Sequence, residues 1–247
     1  MSIDANEIIE RYFRGLAAED LLAMQEAGGL IVECYRVLSK TEDTTVGELL
    51  KTEPDFEQWD HYPAGDVYDS TSHSQYYYHA HPPDERPGEH GHFHTFLRPS
   101  GMPEGMSPVP LEDFEPPEKP DDALSHLVAI SMENRGLPTK LFTTNRWVTD
   151  ETWYRAEDVQ KMIGLFEIDH AQPSWPVNLW ISNMMILFRP QITVLLEERD
   201  ACIADWQKKY PDRNAFKDHE LEVTSEVDID IDAQMGAIAL MLEESGQ

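Results

Sequence analysis

Cysteine is scarce: two in 247 residues, Cys34 and Cys202, far apart in the chain. No C-x-x-C occurs, so thiolate zinc sites and cysteine-held iron–sulfur clusters lack their ligands. The two cysteines are expected as free thiols in packed helices. Positive charge is scarce as well. Nineteen Lys and Arg face 47 Asp and Glu, a formal net charge of -28. Such a surface repels phosphate backbones and anionic bilayers, so neither nucleic acid nor a membrane is expected as a partner. An acidic proteome or a salt-tolerant host accounts for the same charge, which also attracts cations and favours solubility.

Long apolar runs are missing. The longest, Val177 to Phe188, is interrupted by Asn178, Ser182 and Asn183, and is too short to span a bilayer. Residues Met1 to Glu7 lack the basic and apolar regions of a secretion signal, so the expected location is cytoplasmic. No H-E-x-x-H, G-x-S-x-G, P-loop or G-x-G-x-x-G is found. Zincin, serine hydrolase, NTPase and dinucleotide-binding readings therefore lack support.

Histidine is present, and it is concentrated. Six of the ten lie between Ser72 and Leu97. His73, His79 and His81 stand at even spacings, and so do His90, His92 and His94. In a β-strand even spacing means one face. The alternate positions Ser74, Tyr76, Tyr78, Ala80 and Gly91, Phe93, Thr95, Leu97 suit a core. The segment Pro82-Pro83-Asp84-Glu85-Arg86-Pro87-Gly88-Glu89 can continue neither strand nor helix. Two antiparallel strands joined by this turn are expected, and one register sets His79 opposite His92 and Tyr77 opposite His94.

Opposed Cβ atoms sit about 4.5–5.5 Å apart, so His79, His81, His90, His92 and His94 form a candidate metal site. Three readings compete: a polar sheet face without metal, a structural or storage site, and a site with an open coordination position. Imidazole suits iron, copper and zinc but not magnesium or calcium. Two or three histidines with Glu85 or Glu89 would build a facial triad, so iron is the first choice, with copper or zinc the alternatives. Tyr77 and Glu89 are the candidate catalytic groups. The leading expectation is a non-haem iron or copper enzyme acting oxidatively on a small-molecule substrate. The alternatives are a non-catalytic metal-binding protein and a zinc-dependent hydrolase. Oligomeric state is left open. His79-Ala80-His81-Pro82-Pro83-Asp84-Glu85, with its H-x-H-x3-E spacing, is similar to the opening of the cupin metal motif. The match covers seven residues; the family's later glycine and proline pattern is absent, and the second His-x-His comes much sooner.

Along the chain, residues 4–52 read as helical. Asp4 with Glu7 resembles a capping box, Gly28-Gly29 would kink or divide a second helix, and Thr45-Val46-Gly47-Glu48 would cap a third. The β core is expected over 66–145, with 53–71 a loop entering it. His61 in that loop is a possible outlying ligand. A proline-rich loop at 99–122 is either a cover for the site or a surface excursion. His126 would share a face with Val128, Ile130 and Met132, as a satisfied core histidine. Residues 155–210 read as helical, with Pro176 opening a helix and Pro190 breaking or kinking it. Residues 220–243 read as an acidic strand, with Asp228, Asp230 and Asp232 on one face, followed by a helix. The fold class is a single α+β domain over 1–247. Its sheet is mainly antiparallel, a curved jelly-roll-like form being one option, with helices from both termini packed around it.

Overall fold

The computed structural model describes residues 2–3, 8, 12–112 and 114–244. Its centre is one open sheet of seven strands in the order β1-β7-β6-β5-β4-β3-β2. The strands are β1 (Ser2–Ile3), β2 (Tyr62–Tyr68), β3 (Ser74–His79), β4 (Gly91–Leu97), β5 (Ser125–Met132), β6 (Pro138–Thr144) and β7 (Val223–Asp228). Strands β2 to β7 pair antiparallel, and β1 adds parallel beside β7. The α+β class holds, and the sheet does not close into a roll.

Alternation along the strands divides the sheet into two unlike faces. Tyr78, Phe93, Ile130, Leu141 and Val227 form one continuous row, all buried. This row carries the helical layer: α1 (Ala18–Leu38), α2 (Thr45–Leu50), α5 (Trp175–Leu187), α6 (Arg189–Lys209) and α7 (Ile231–Glu244). Trp180 of α5 packs its ring 5.4 Å from Phe93. Hydrogen bonds also tie helix to sheet, among them Tyr76 Oη donating to Asn178 Oδ1 at 2.7 Å and Ser225 Oγ donating to Leu195 O at 2.8 Å. The short α3 (Arg146–Thr149) and α4 (Ala156–Ile163) follow β6. No single helix among the described residues is long and apolar enough to cross a membrane, and α5 and α6 bend by 70° where they meet.

Several local expectations need correction. The capping box at Asp4 and Glu7 lies outside the described residues. Gly28-Gly29 does not break α1, which runs unbroken from Ala18 to Leu38. Gly28 instead lets α7 approach closely, because a Cβ there would meet Met235 Sδ at 1.8 Å. The cap of α2 is Thr44, one residue earlier than expected, and its side chain accepts from Gly47 N at 3.0 Å. The segment taken as a loop entering the sheet contains edge strand β2, which begins at Tyr62 and carries a register irregularity before Val67.

At the far end β7 stops at Asp228, and Asp230 caps α7 by accepting from Ala233 N at 2.8 Å. The helix captures this part of the alternating Ile/Asp run because a free carboxylate satisfies an orphan helix N–H. The proline-rich segment 99–122 docks on the C-terminal half. Val109 N donates to Trp153 O at 2.8 Å, and Phe114 lies under the Arg146 guanidinium.

Candidate metal centre

The second face of the sheet holds the histidines. His79, His92, Ser131, Lys140 and Asp228 stand in one row across five strands, and Tyr77, His94, Ala129, Phe142 and Glu226 in the next. His79 is opposite His92 and Tyr77 opposite His94, the register that the turn and the alternation suggest. Gly91 opens β4 because nothing larger fits: a Cβ there would lie 2.5 Å from His79 O and from Tyr78 Oη.

His79, His81 and His92 offer ligand nitrogens that all lie within 4.8 Å of one another. They form a cluster able to hold a metal ion. His79 Nε2 and His92 Nε2 are 2.7 Å apart. Two nitrogens sharing one metal at about 2.0–2.1 Å each would stand about 3 Å apart, so little movement separates the two arrangements. His81 lies two residues beyond the end of β3. It is held there by Trp59, whose N–H donates to Ala80 O at 3.0 Å and whose ring stands 4.2 Å from the His81 ring.

Carboxylates grip the far nitrogens of two of these rings. Glu89 Oε1 is 2.7 Å from His92 Nδ1, and Glu85 Oε2 is 3.3 Å from His81 Nδ1. A carboxylate on Nδ1 fixes that nitrogen as the N–H and leaves Nε2 as the lone pair for a metal. Glu85 and Glu89 therefore sit behind the imidazoles rather than among them. Burial raises the Glu89 carboxyl above its usual range, against a hydrogen bond from Ser131 and the charge of Arg86.

Two rings of the cluster, His79 and His92, are buried and held neutral. His79 is driven down to about 2, first by burial and then by the neighbouring imidazoles and Arg86. His92 and His94 are also lowered, again first by burial. A neutral imidazole is the form a metal needs.

The remaining sequence candidates fall in different places. His94 stands beside the triad, its ring 4.8 Å from His92 and 5.2 Å from His79. Its Nδ1 bonds His126 Nε2 at 3.0 Å, and its buried Nε2 has no partner. His90 Nδ1 pairs instead with the hydroxyl of Tyr78, a side chain of the other face, at 2.6 Å. Tyr77 is buried with its ring stacked on His61 at 3.6 Å, and its hydroxyl is pushed up by desolvation. His61 itself is partly exposed and paired with Asp66. His73 is not part of the strand face: it adopts φ 61° in the turn before β3 and pairs with Tyr68 Oη. His126 is not on the core face. An irregularity between Thr95 and Phe96 sets His126 opposite Phe96 and so turns it towards His94. One extra residue in a strand reverses the alternation beyond it.

Sequence reading missed the neighbours of the cluster. Arg86, the one cation of the turn, stacks on Phe142 at 4.9 Å. Phe142 in turn meets the His92 ring at 5.1 Å. A lone arginine between two histidine strands was the available signal. Lys140 and Ser131 gave none, because only strand pairing carries them into the histidine row.

The chain matches the model of a family described as a domain of unknown function (DUF6969) over residues 25–229. It belongs to that family. The matched span contains the whole histidine hairpin, the strands behind it and the helices α5 and α6. No curated protein and no solved structure matches the chain.

Proposed function

We propose that this DUF6969 protein is a metalloenzyme. In this reading His79, His81 and His92 hold a first-row transition metal at an open site, where a small molecule is transformed. The observation that carries it is the triad itself, three imidazoles converging from β3, the residues just beyond it and β4, with Glu89 on Nδ1 of His92 and Glu85 on Nδ1 of His81. That pairing is the usual support of a histidine ligand. The unpartnered Nε2 of His94 adds to it, since a buried nitrogen beside the cluster needs a partner and a metal-bound water supplies one.

Iron is our first choice. Three nitrogens on one face of an octahedral ion leave three positions, enough for substrate and dioxygen together, which suits an oxidative reaction on a small molecule. One observation favours zinc and hydrolysis. Both carboxylates are engaged on imidazoles, so the donor set is three histidines, the set of an open catalytic zinc site. A pure storage or delivery site is disfavoured, because three ligands leave the shell unfilled.

Elemental analysis of tag-free protein, with a His79→Ala/His92→Ala variant in parallel, tests the reading. We expect about one equivalent of iron per chain, lost in the variant. Stoichiometric zinc lost in the same way would move the assignment to hydrolysis. A wild type that binds no first-row transition metal, even after anaerobic reconstitution, would overturn it.

A further inference from the structure

Beside the triad, on the same face of the sheet, lies a cavity of about 530 Å³. Its wall towards the metal centre is Glu89, Ser131 and Phe142; Arg86, Lys140 and Glu226 line it further out. Glu89 belongs to both places, since its Oε1 is also the partner of His92 Nδ1. Ser131 stands opposite His92, and Lys140 opposite Ser131. The lysine is therefore two strand spacings from the triad, about 9.6 Å along the sheet. The cavity is thus next to the cluster and of a size suited to a small ligand.

The walls carry both signs of charge. Arg86 and Lys140 are the two cationic lining residues, and five glutamates line the same space. Each cation is tied to a glutamate at the rim, Arg86 to Glu222 and Lys140 to Glu226. The side chains of Glu222 and Glu226 are 42% and 32% exposed. Lys140 is itself 34% exposed, and partly exposed pairs of this kind contribute little, so a ligand carboxylate can replace Glu226 there; at Arg86, 18% exposed, it can join or replace Glu222. Arginine also has donors to spare, five in a planar fork. Of the other three glutamates, Glu133 pairs with Arg135, Glu89 with His92 and Glu85 with His81, so a ligand carboxylate that takes Arg86 and Lys140 frees Glu222 and Glu226 for a positive charge on the same ligand. A simple anion would leave those two glutamates without a cation, and a simple amine would have to compete with Arg86 and Lys140 for them.

We infer that the cavity is the substrate pocket of the metal centre and takes a zwitterionic amino acid. Its carboxylate lies on Arg86 and Lys140, its ammonium faces Glu222 and Glu226, and its remaining atoms reach towards the triad. This rests on the metalloenzyme reading for the word substrate, but the binding itself does not need the metal.

The test is calorimetric titration of the metal-loaded protein with the common amino acids one by one. Each that binds is followed by its decarboxylated amine and its des-amino acid. At least one amino acid should bind with a Kd of about 1 mM or tighter, and both truncated forms should be about tenfold weaker or worse. Lys140→Met should weaken the amino acid about tenfold at unchanged metal content, and Arg86→Gln should do the same. An amine or a des-amino acid that binds as well as its parent would overturn the inference. So would two folded variants with wild-type affinity, or no binding by any amino acid. The metal content of the wild type separates the two claims. Amino acid binding by a wild-type protein that takes up no metal would sink the metalloenzyme reading and leave the pocket standing. Stoichiometric metal without amino acid binding would do the reverse.

Discussion

Glu89→Gln is the most informative single change at the cluster. The side chain keeps its length and volume, and its amide oxygen can still accept from His92 Nδ1, now 2.7 Å from the carboxylate. What is lost is the negative charge that makes the imidazole a stronger donor at Nε2. Loss of such a partner lowers metal affinity about 10- to 100-fold, which is about 1.4–2.7 kcal/mol. The fold should tolerate the change, because burial already raises the Glu89 carboxyl and the amide resembles its protonated form. Affinity for iron(II) and for zinc is read by competition against a coloured chelator, with circular dichroism of the metal-free protein as the control for folding. His92→Ala in parallel should abolish tight binding. Unchanged affinity in a folded Glu89→Gln protein would refute the claim that Glu89 supports a metal ligand. Retained tight binding in His92→Ala would refute the triad.

Three further outcomes are expected. Gly91→Ala should destabilise the protein by about 1–3 kcal/mol and weaken metal binding, because its Cβ would press on the backbone oxygen of His79; equal urea midpoints and equal metal affinity would contradict this. His79, His92, His94 and His126 have folded pKa values below the ordinary 6.5 through burial. Their contribution to stability is therefore complete above 6.5 and lost as pH falls, at up to about 1.4 kcal/mol per pH unit for each ring. Urea midpoints of the metal-free protein should drop steeply between pH 6.5 and 5, and a flat profile would show that these rings are not buried as neutral groups. Glu151, fully buried with one carboxylate oxygen unpartnered, has its carboxyl raised from 4.5 to about 7 by burial. The fold favours its protonated form, so stability is present below 4.5 and lost as pH rises through about 7. Glu151→Gln should then stabilise at pH 8 by about 1–3 kcal/mol and have little effect near pH 4.5, again read by urea midpoints.

The histidine hairpin was legible because two independent rules agree on it. Period-two alternation sorts His79, His92 and His94 from Tyr78 and Phe93, and the proline turn between the strands allows only a reversal. Chain length and turn chemistry also made the α+β class readable, since helical periodicity flanks the strands on both sides. Two details of the site were less legible for definite reasons. His90 belongs to the same even spacing as His92, yet it sits before the first paired residue of β4, and its ring bonds Tyr78 of the other face. His126 was misplaced because a bulge costs no recognisable residue type and still inverts every side chain beyond it.

By itself, then, the sequence determined which residues could share a face: imidazoles on one side of two strands, aromatic and aliphatic side chains on the other. That is local stereochemistry, a consequence of successive Cβ atoms pointing to opposite sides of a strand. Only the tertiary structure decided which of those imidazoles converge. Trp59 folds back to hold His81 beyond the strand end, Glu85 and Glu89 turn in behind the rings, and strand pairing brings Ser131 and Lys140 into the row of His92. These contacts join segments separated by up to tens of residues, and their geometry depends on register and burial that no short stretch of chain contains.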